Sequence, residues 1–230
     1  MTDANVRATP ILNYQDPGVQ SVIATLGASQ PAPRRYAQAA HTHVADVMRP
    51  VYSIDERVPV PDLLRINRGS CSQRMACVEA LARGYGIGTR VRALWLDRTF
   101  WYFRLPLLRP LLPKKLLMPW PQFWIDGHWV DFDEIYGSTA DLAAKSTHAF
   151  TNHGESLFDA VQHTPVDFLG KSLSAGCPGF SLAKFVVEDG GFFDTRDELL
   201  EKLDHTGWIG RLIFNVTYGN RPVRRAAERV

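Results

Sequence analysis

The sequence lacks any long uninterrupted apolar run and any dense run of one charge. Its most apolar segment, residues 105–120, contains four prolines and three basic residues. It therefore falls short of the ~18 consecutive apolar residues that indicate a membrane span. The N-terminus has no apolar stretch behind a basic start, so it does not resemble a signal peptide. We therefore expect no membrane span and a cytoplasmic protein.

The chain also lacks a large excess of either positive or negative charge. The chain has 26 Lys and Arg against 24 Asp and Glu, a formal net charge of +2. The basic residues are spread along the chain, with clusters only at residues 34–35 and near the C-terminus. A protein that follows a phosphate backbone needs a denser basic stripe. Nucleic acid is therefore not an expected partner.

Cysteines are few, and their spacing does not suggest a metal site. Cys71, Cys77 and Cys177 are too far apart for a metal knuckle, and no pair of histidines supplies the missing ligands. Without an export signal they are expected to stay reduced. We predict no metal and no cofactor. From placement, we expect Cys77 to be a core residue and Cys177 a loop residue.

What the chain does have is enough apolar material for a sizeable core. Its 230 residues are 45% hydrophobic and 11% aromatic, which suits one domain, or one domain with an appendage. A junction near Ser138 is conceivable, but no linker composition marks it. We predict a core at 1–137 and an extension at 138–230 that packs on this core.

The segment 68–96 is the most informative in the chain. Ser70 followed by Gln73 matches a capping box and predicts a helix that begins at Cys71 and ends near Tyr85. A strand over 89–96 should follow. A thiol in the first turn of a helix faces unpaired backbone N–H groups and the positive end of the helix dipole, which favour the thiolate. Cys71 is therefore the candidate nucleophile.

Periodicity and turn residues predict the other elements. The sequence Asp126-Gly127 is a favoured hairpin turn and predicts a hairpin over 122–133. Further helices are expected at about 16–27, 34–48, 157–161 and 195–203, and further strands at about 99–104, 182–187 and 208–218.

Two segments resemble signatures of the transglutaminase-like, papain-like superfamily. The first is Gly69-Ser70-Cys71 at a helix start, followed by the run 82–91 before a strand. The second is the hairpin 123–133, in which Asp133 occupies the position of the triad aspartate. The resemblance covers roughly residues 30–137. It implies an α+β fold, with a helical N-terminal layer and the Cys71 helix packed on a mostly antiparallel sheet.

The chain departs from this family at the catalytic histidine. The family's histidine stands about eleven residues before the hairpin tryptophan, where this chain has Met118. Gln122 stands where the family usually has an acidic residue. Methionine cannot take the thiol proton, as a Cys–His–Asp triad requires.

Three explanations stay open at this point. Another histidine can enter the site, the candidates being His128, His148, His153, His163 and His205. Alternatively, the thiolate acts without a histidine, or the reaction uses carboxylates such as Asp133 and Glu134. Finally, the chain can be an inactive binding relative.

Candidate substrate contacts lie near these segments. Trp120 and Trp124 belong to a tryptophan-rich third of the chain that forms either core or a pocket. Arg90 can bind a carboxylate or lie in solvent, and Gln122 occupies the family's acidic position. The insert 104–117 is either an apolar lid for an acyl chain or carrier protein, or a long connection packed on the core.

The leading hypothesis is therefore acyl transfer or amide chemistry through a Cys71 thioester, with Asp133 as second catalytic residue. The substrate would be a small molecule or a group tethered to a carrier protein. The alternatives are a non-covalent condensing or cyclising biosynthetic enzyme on the same scaffold, and a catalytically inactive binding relative.

Overall fold

A computed structural model describes residues 1–146, 150–153, 155–174, 176 and 180–203 of the protein. The helices are α1 Pro17–Gly27, α2 Pro33–Val47, α3 Val60–Ile66, α4 Cys71–Gly84, α5 Thr139–Lys145, α6 Leu157–Ala160, α7 Lys171–Ser174 and α8 Arg196–Leu203. The strands are β1 Arg49–Pro50, β2 Arg68–Gly69, β3 Thr89–Asp97, β4 Lys115–Ile125, β5 His128–Asp131 and β6 Val186–Phe193.

The sheet is antiparallel and has the order β5-β4-β3-β6. β3 and β4 pair along the whole of β3, from Thr89 opposite Phe123 to Asp97 opposite Lys115. The helices α1 to α4 precede this sheet in the chain, and α4 packs on both β3 and β4. The predicted α+β fold, with a helical N-terminal layer and the Cys71 helix on an antiparallel sheet, is confirmed.

Strand β4 is unusual because it holds two prolines in an inner position of the sheet. The backbone N–H of Trp124 donates to the carbonyl of Gly88 on the β3 side. Alternate residues of a strand point their N–H groups to opposite sides, so the nitrogens of Pro119 and Pro121 face away from β3. On that side β5 ends at Asp131, opposite Gln122. The missing N–H groups therefore cost no ladder hydrogen bond.

Helix α4 forms where its capping box predicts. The Ser70 hydroxyl accepts from the Gln73 N–H, and the Gln73 side chain accepts in return from the Ser70 N–H. Residues 72–83 are all buried, since α1, α2, α3, α6 and the sheet surround the helix. Tight packing on all sides fixes the direction of its first turn, where Cys71 lies.

Most predicted elements are confirmed, and two are wrong. The hairpin turns at Asp126 and Gly127 with φ of 53° and 81°, the left-handed pair of a type I′ turn. The predicted strand at 99–104 is wrong, because Asp97 caps a 3₁₀ helix at Arg98–Trp101. The predicted strand at 182–187 begins only at Val186, after a 3₁₀ turn.

Some predictions concern regions that the structure leaves undescribed. The strand at 208–218, Cys177, His148 and His205 all lie outside the described residues. The division into 1–137 and 138–230 stays a prediction, although α6 and α8 both pack on the N-terminal elements. Among the described helices, none combines the length and the apolar character that crossing a membrane requires.

His41, on α2, is a buried polar residue with both ring nitrogens engaged. Nε2 lies 2.8 Å from the carbonyl oxygen of Phe158, and Nδ1 lies 3.0 Å from the hydroxyl of Tyr136. A carbonyl can only accept, so Nε2 carries the proton of a neutral ring. Burial lowers the pKa of His41 to about 4, although the bond to Phe158 opposes the shift.

This depressed pKa predicts a loss of stability in mild acid. The unfolded chain takes up the proton below its ordinary pKa of about 6.5, whereas the folded chain does not. Stability from this group is therefore full above that value and is lost as the pH falls toward about 4. We expect the free energy of unfolding to fall by about 2 kcal/mol between pH 7 and pH 5 from this group alone. Urea unfolding of the protein and of His41→Gln at both pH values measures it; an equal pH dependence in both would contradict the assignment.

Candidate functional site

A cavity of about 450 Å³ lies beside the first turn of α4, within the range of roughly 300–1,000 Å³ of small-molecule sites. We call it the Cys71 cavity. Its walls come mainly from the segment after β1, the start of α4, the residues between β3 and β4, and the first half of β4. Trp95 of β3, Leu157 of α6, and Leu200 and Leu203 of α8 complete them. Most lining side chains are apolar, and they include Val51, Ile54, Phe100, Trp101, Leu105, Leu108, Leu112, Leu117, Met118 and Leu157.

The insert between β3 and β4 forms one wall of this cavity. Three of its leucines are buried and make a small apolar cluster of their own: Leu105, Leu108 and Leu112. Tyr52, Ile54, Trp101 and Tyr102 pack against this cluster. The insert is thus a packed connection that also encloses an apolar space. The predicted insert also ran too far, because β4 already begins at Lys115.

Cys71 is half-buried and lines the cavity as the first residue of α4. Its sulfur lies 3.8 Å from the hydroxyl oxygen of Ser156, within reach of a hydrogen bond to sulfur. Ser156 is fully buried and caps the N-terminus of α6. A residue 85 positions away in the chain thus approaches the candidate nucleophile.

The hydrogen bonds of Ser156 leave its proton free to point at Cys71. Its oxygen accepts from the Asp159 N–H at 3.3 Å and from Nη1 of Arg74 at 3.1 Å. A hydroxyl has two lone pairs and one proton. With both lone pairs in use, the proton is available to the Cys71 sulfur. Ser156 is therefore arranged as a donor to a thiolate.

Arg74 supports this arrangement from inside the protein. Its guanidinium is fully buried and pairs with Asp159 at 2.6 and 3.3 Å. It also lies 4.2 Å over the ring of Phe158. A buried guanidinium held by a carboxylate and a ring has little freedom to move, so Arg74 keeps the Ser156 hydroxyl oriented.

A second buried arginine fixes the other side of the first turn. Arg196, at the start of α8, donates to Oε1 of Glu79 at 2.5 Å and to the Ser72 hydroxyl at 2.8 Å. It also lies 3.4 Å from the carboxylate of Glu56. Ser72 and Glu56 both line the Cys71 cavity. Arg196 therefore joins α8 to the turn that carries Cys71.

Met118 lies in the cavity wall together with Cys71. The candidate histidines His128, His153 and His163 are exposed and do not line the cavity. Among the described residues that line it, no side chain is a histidine. The described part of the site thus offers Ser156, rather than an imidazole, as the polar neighbour of the sulfur.

Asp133 is buried in the turn that follows β5, and it does not line the Cys71 cavity. Burial raises the pKa of Asp133 well above its usual range, the carboxylate of Asp131 raises it further, and Lys171 opposes both. Its Oδ1 has no hydrogen-bond partner in the described part of the chain. Burial also disfavours the charge of Lys171, but the surrounding carboxylates outweigh this and raise its pKa.

Two of the four predicted substrate contacts, Arg90 and Gln122, belong to a chain of polar contacts that includes Asp131. Nε of Arg90 donates to Gln122, whose side chain donates to Asp131, both at 2.7 Å. Lys171 completes the chain with a bond of 2.6 Å to Asp131.

The aromatic residues near this chain are packed against other rings. Arg90 lies between the rings of Trp129 and Phe192, at 4.3 and 4.0 Å. Trp124 contacts Trp129, and Trp120 is fully buried against other rings of the core. Arg90, Gln122, Trp120 and Trp124 are absent from the lining of the Cys71 cavity. Their roles as substrate contacts stay predictions.

The remaining cysteine of the described chain is shielded. Cys77 lies inside α4, and burial raises the pKa of its thiol to about 12. Within the described residues, no group of three or more His, Cys, Asp or Glu side chains is arranged to hold a metal ion.

Only weak sequence signals mark Ser156, Arg74 and Arg196, the residues that surround the first turn of α4. Ser156 followed by Asp159 is a helix-cap pattern, which indicates the start of α6 but not its contact with Cys71. Nothing in the sequence near Arg74 or Arg196 marks these arginines as buried, since arginines are mostly exposed. Only the tertiary structure brings them to the site.

Comparison with known proteins yields structural matches only. No protein-family model matches the chain, and no curated protein matches it. A solved structure described as a "putative cysteine protease" from Cytophaga hutchinsonii matches with a TM-score of 0.43 and 12% identity, over 57% of this chain and 42% of that one. A "putative protease" from Parabacteroides distasonis matches with a TM-score of 0.37 and 11% identity, over 53% and 24%. The chain thus matches less than half of each of these proteins, and likeness at this level does not establish a shared activity.

Proposed function

We propose that the protein is an acyl-transfer enzyme in which Cys71 attacks a thioester whose apolar acyl group lies in the Cys71 cavity. The observation that carries this proposal is the position of the half-buried Cys71 thiol, in the wall of an apolar cavity and at a helix N-terminus. The substrate is a small molecule or a group tethered to a carrier protein. The resemblance to transglutaminase-like proteins belongs to the same proposal.

The bond changes follow from the groups at hand. The Cys71 thiolate attacks the thioester carbonyl, a new sulfur–carbon bond forms, and the substrate's sulfur leaves as a thiolate. An amine or a water molecule then attacks the acyl-Cys71 thioester and releases the Cys71 thiolate, while solvent takes the proton of the attacking group. The N–H groups of the first turn of α4 and the Ser156 hydroxyl stabilise negative charge at the sulfur.

The choice of a thioester over an amide rests on the proton balance. A leaving amine must be protonated by an acid, whereas a leaving thiolate needs little protonation. A histidine would supply that acid, and among the described residues of the cavity wall there is none. This absence is our reason to prefer thioesters as substrates.

Acyl chain length tests the proposal. Each CH₂ buried in an apolar site adds up to about 0.8 kcal/mol of transfer free energy. We therefore expect octanoyl N-acetylcysteamine to acylate the protein at least about tenfold faster than the acetyl compound. Mass spectrometry of the intact protein and of its peptides measures the adduct and its position. If neither thioester acylates Cys71, the proposal is wrong.

The Ser156 hydroxyl gives a second prediction. Ser156→Ala removes the donor beside the sulfur, so alkylation by iodoacetamide at neutral pH should slow by about tenfold, the value of one lost hydrogen bond to a charged group. Ser156→Thr keeps the hydroxyl and should restore most of the rate. Thermal unfolding of both variants shows whether a slower rate comes only from a loosened structure. Equal rates for the protein and Ser156→Ala would remove Ser156 from the mechanism.

The proposal includes Asp133 as a second catalytic residue. Asp133 follows β5 at the position that the family resemblance assigns to the triad aspartate, and it is a buried carboxyl whose Oδ1 has no hydrogen-bond partner among the described residues. The non-covalent condensing or cyclising enzyme and the inactive relative are the alternatives. Turnover that needs Asp133 or Glu134 but not Cys71 would favour the first of them.

A further inference from the structure

The insert that encloses the cavity also exposes apolar side chains on its outer face. Three large side chains within nine residues have exposed fractions of 59%, 69% and 65%: Phe103, Leu107 and Leu111. We call them the mouth patch. Leu111 and Pro113 both line the Cys71 cavity, and both are exposed. The patch therefore adjoins the opening of the cavity.

The charged residues of the insert that carries this patch have one sign. Residues 98–125 contain five arginines and lysines and no aspartate or glutamate. Lys115 pairs with Glu188 of β6. Arg109 and Lys114 are exposed, and neither forms an ion pair with another described residue. The exposed part of the insert at the mouth thus carries apolar side chains and two cations, Arg109 and Lys114.

We propose that the mouth patch, with Arg109 and Lys114, docks the protein on an anionic lipid surface. Phenylalanine and leucine beside basic residues are typical of segments that lie in the headgroup region, where the apolar side chains reach the acyl chains. Each nearby Lys or Arg adds attraction to anionic lipids. A protein partner is less favoured, because non-obligate protein interfaces are no more apolar than the rest of a surface. Docked in this way, the cavity opens toward the bilayer.

Vesicle binding tests this proposal without any use of Cys71 chemistry. The protein is sedimented with vesicles of phosphatidylcholine alone, and with vesicles of phosphatidylcholine and phosphatidylserine at about 7 to 3. We expect binding to the mixed vesicles, and binding at least about tenfold weaker to the neutral ones. Arg109→Glu with Lys114→Glu should weaken binding to the mixed vesicles by at least about thirtyfold, since each cation contributes about fivefold.

The apolar part of the surface has its own variant. Phe103→Asp with Leu107→Asp should weaken binding to the mixed vesicles by at least about tenfold. Neither residue lines the Cys71 cavity, so acylation of Cys71 by a soluble thioester reports on the proposed function separately. Thermal unfolding shows that each variant is folded.

Matched controls lie elsewhere on the surface. Ile66 and Leu173 are 50% and 51% exposed, and Ile66→Asp with Leu173→Asp should keep vesicle binding. Arg35→Glu with Lys145→Glu changes the net charge by the same amount at two exposed positions on α2 and α5, and it should weaken binding by far less than the change at Arg109 and Lys114. The proposal is overturned if the protein does not bind mixed vesicles. It is also overturned if the control variants lose as much binding as the patch variants, or if an acidic carrier protein competes the protein off the vesicles.

Discussion

Cys71→Ala is expected to abolish the acyl adduct and to lower kcat/KM for a thioester substrate by at least about 10³-fold, the scale seen when a nucleophile is removed. The physical reason is that Cys71 is the one thiol of the described chain that lines the cavity. In this variant Ser156 has no base to activate its hydroxyl, since its remaining described partners, Arg74 and the Asp159 N–H, are hydrogen-bond donors. It cannot replace the thiolate.

The control for this variant is Cys77→Ala. Cys77 lies on the same helix but is fully buried, and burial raises the pKa of its thiol to about 12. Its replacement should leave the adduct at Cys71 in place, with a cost in stability only. Intact-mass measurement with octanoyl N-acetylcysteamine distinguishes the two variants. A Cys71→Ala protein that turns over substrate at the normal rate would reject covalent catalysis and favour the non-covalent alternative.

How much of this structure can be predicted from the sequence depends on how far apart along the chain the interacting residues lie. Helix α4 and the hairpin were predictable, because a capping box spans Ser70 to Gln73 and a turn is made by Asp126 and Gly127. The strand predicted at 99–104 was wrong because the local cap at Asp97 outweighed the strand-favouring aromatic residues. In each case the contact that decides the local structure joins residues fewer than four positions apart in the chain.

The contacts of the candidate site join residues that lie far apart in the chain. Ser156 reaches Cys71 across 85 positions of the chain, and Arg196 reaches Ser72 across 124. No periodicity or spacing marks such contacts. Trp120 and Trp124, which the sequence suggested as substrate contacts, pack against other rings, and a large ring is equally suited to a core and to a pocket. The sequence therefore predicted the position of Cys71 at the start of α4 but not its neighbours.

Arg196→Met should be among the most destabilising single changes in the protein, by about 3–5 kcal/mol. Arg196 and Glu79 are both fully buried and meet at 2.5 Å. Removal of the guanidinium would leave the Glu79 carboxylate without its counter-charge, and Oε2 of Glu79 already has no partner among the described residues. An uncompensated charge in the interior accounts for most of the cost. Thermal unfolding should show a decrease in Tm of about 10 °C.

A double variant separates the buried charge from the lost packing. Glu79→Leu with Arg196→Met replaces both charges by apolar groups, and it should regain most of the stability that Arg196→Met loses. The matched control is Arg92→Met, which breaks a pair with Asp189 at 2.6 Å that is partly open to solvent, and it should cost less than about 1 kcal/mol. If Arg196→Met proves as mild as Arg92→Met, the buried pair does not hold α8 to the Cys71 helix. If it is severe and the double variant is restored, acylation of the double variant then shows whether the bond from Arg196 to Ser72 also positions the first turn of α4 for reaction.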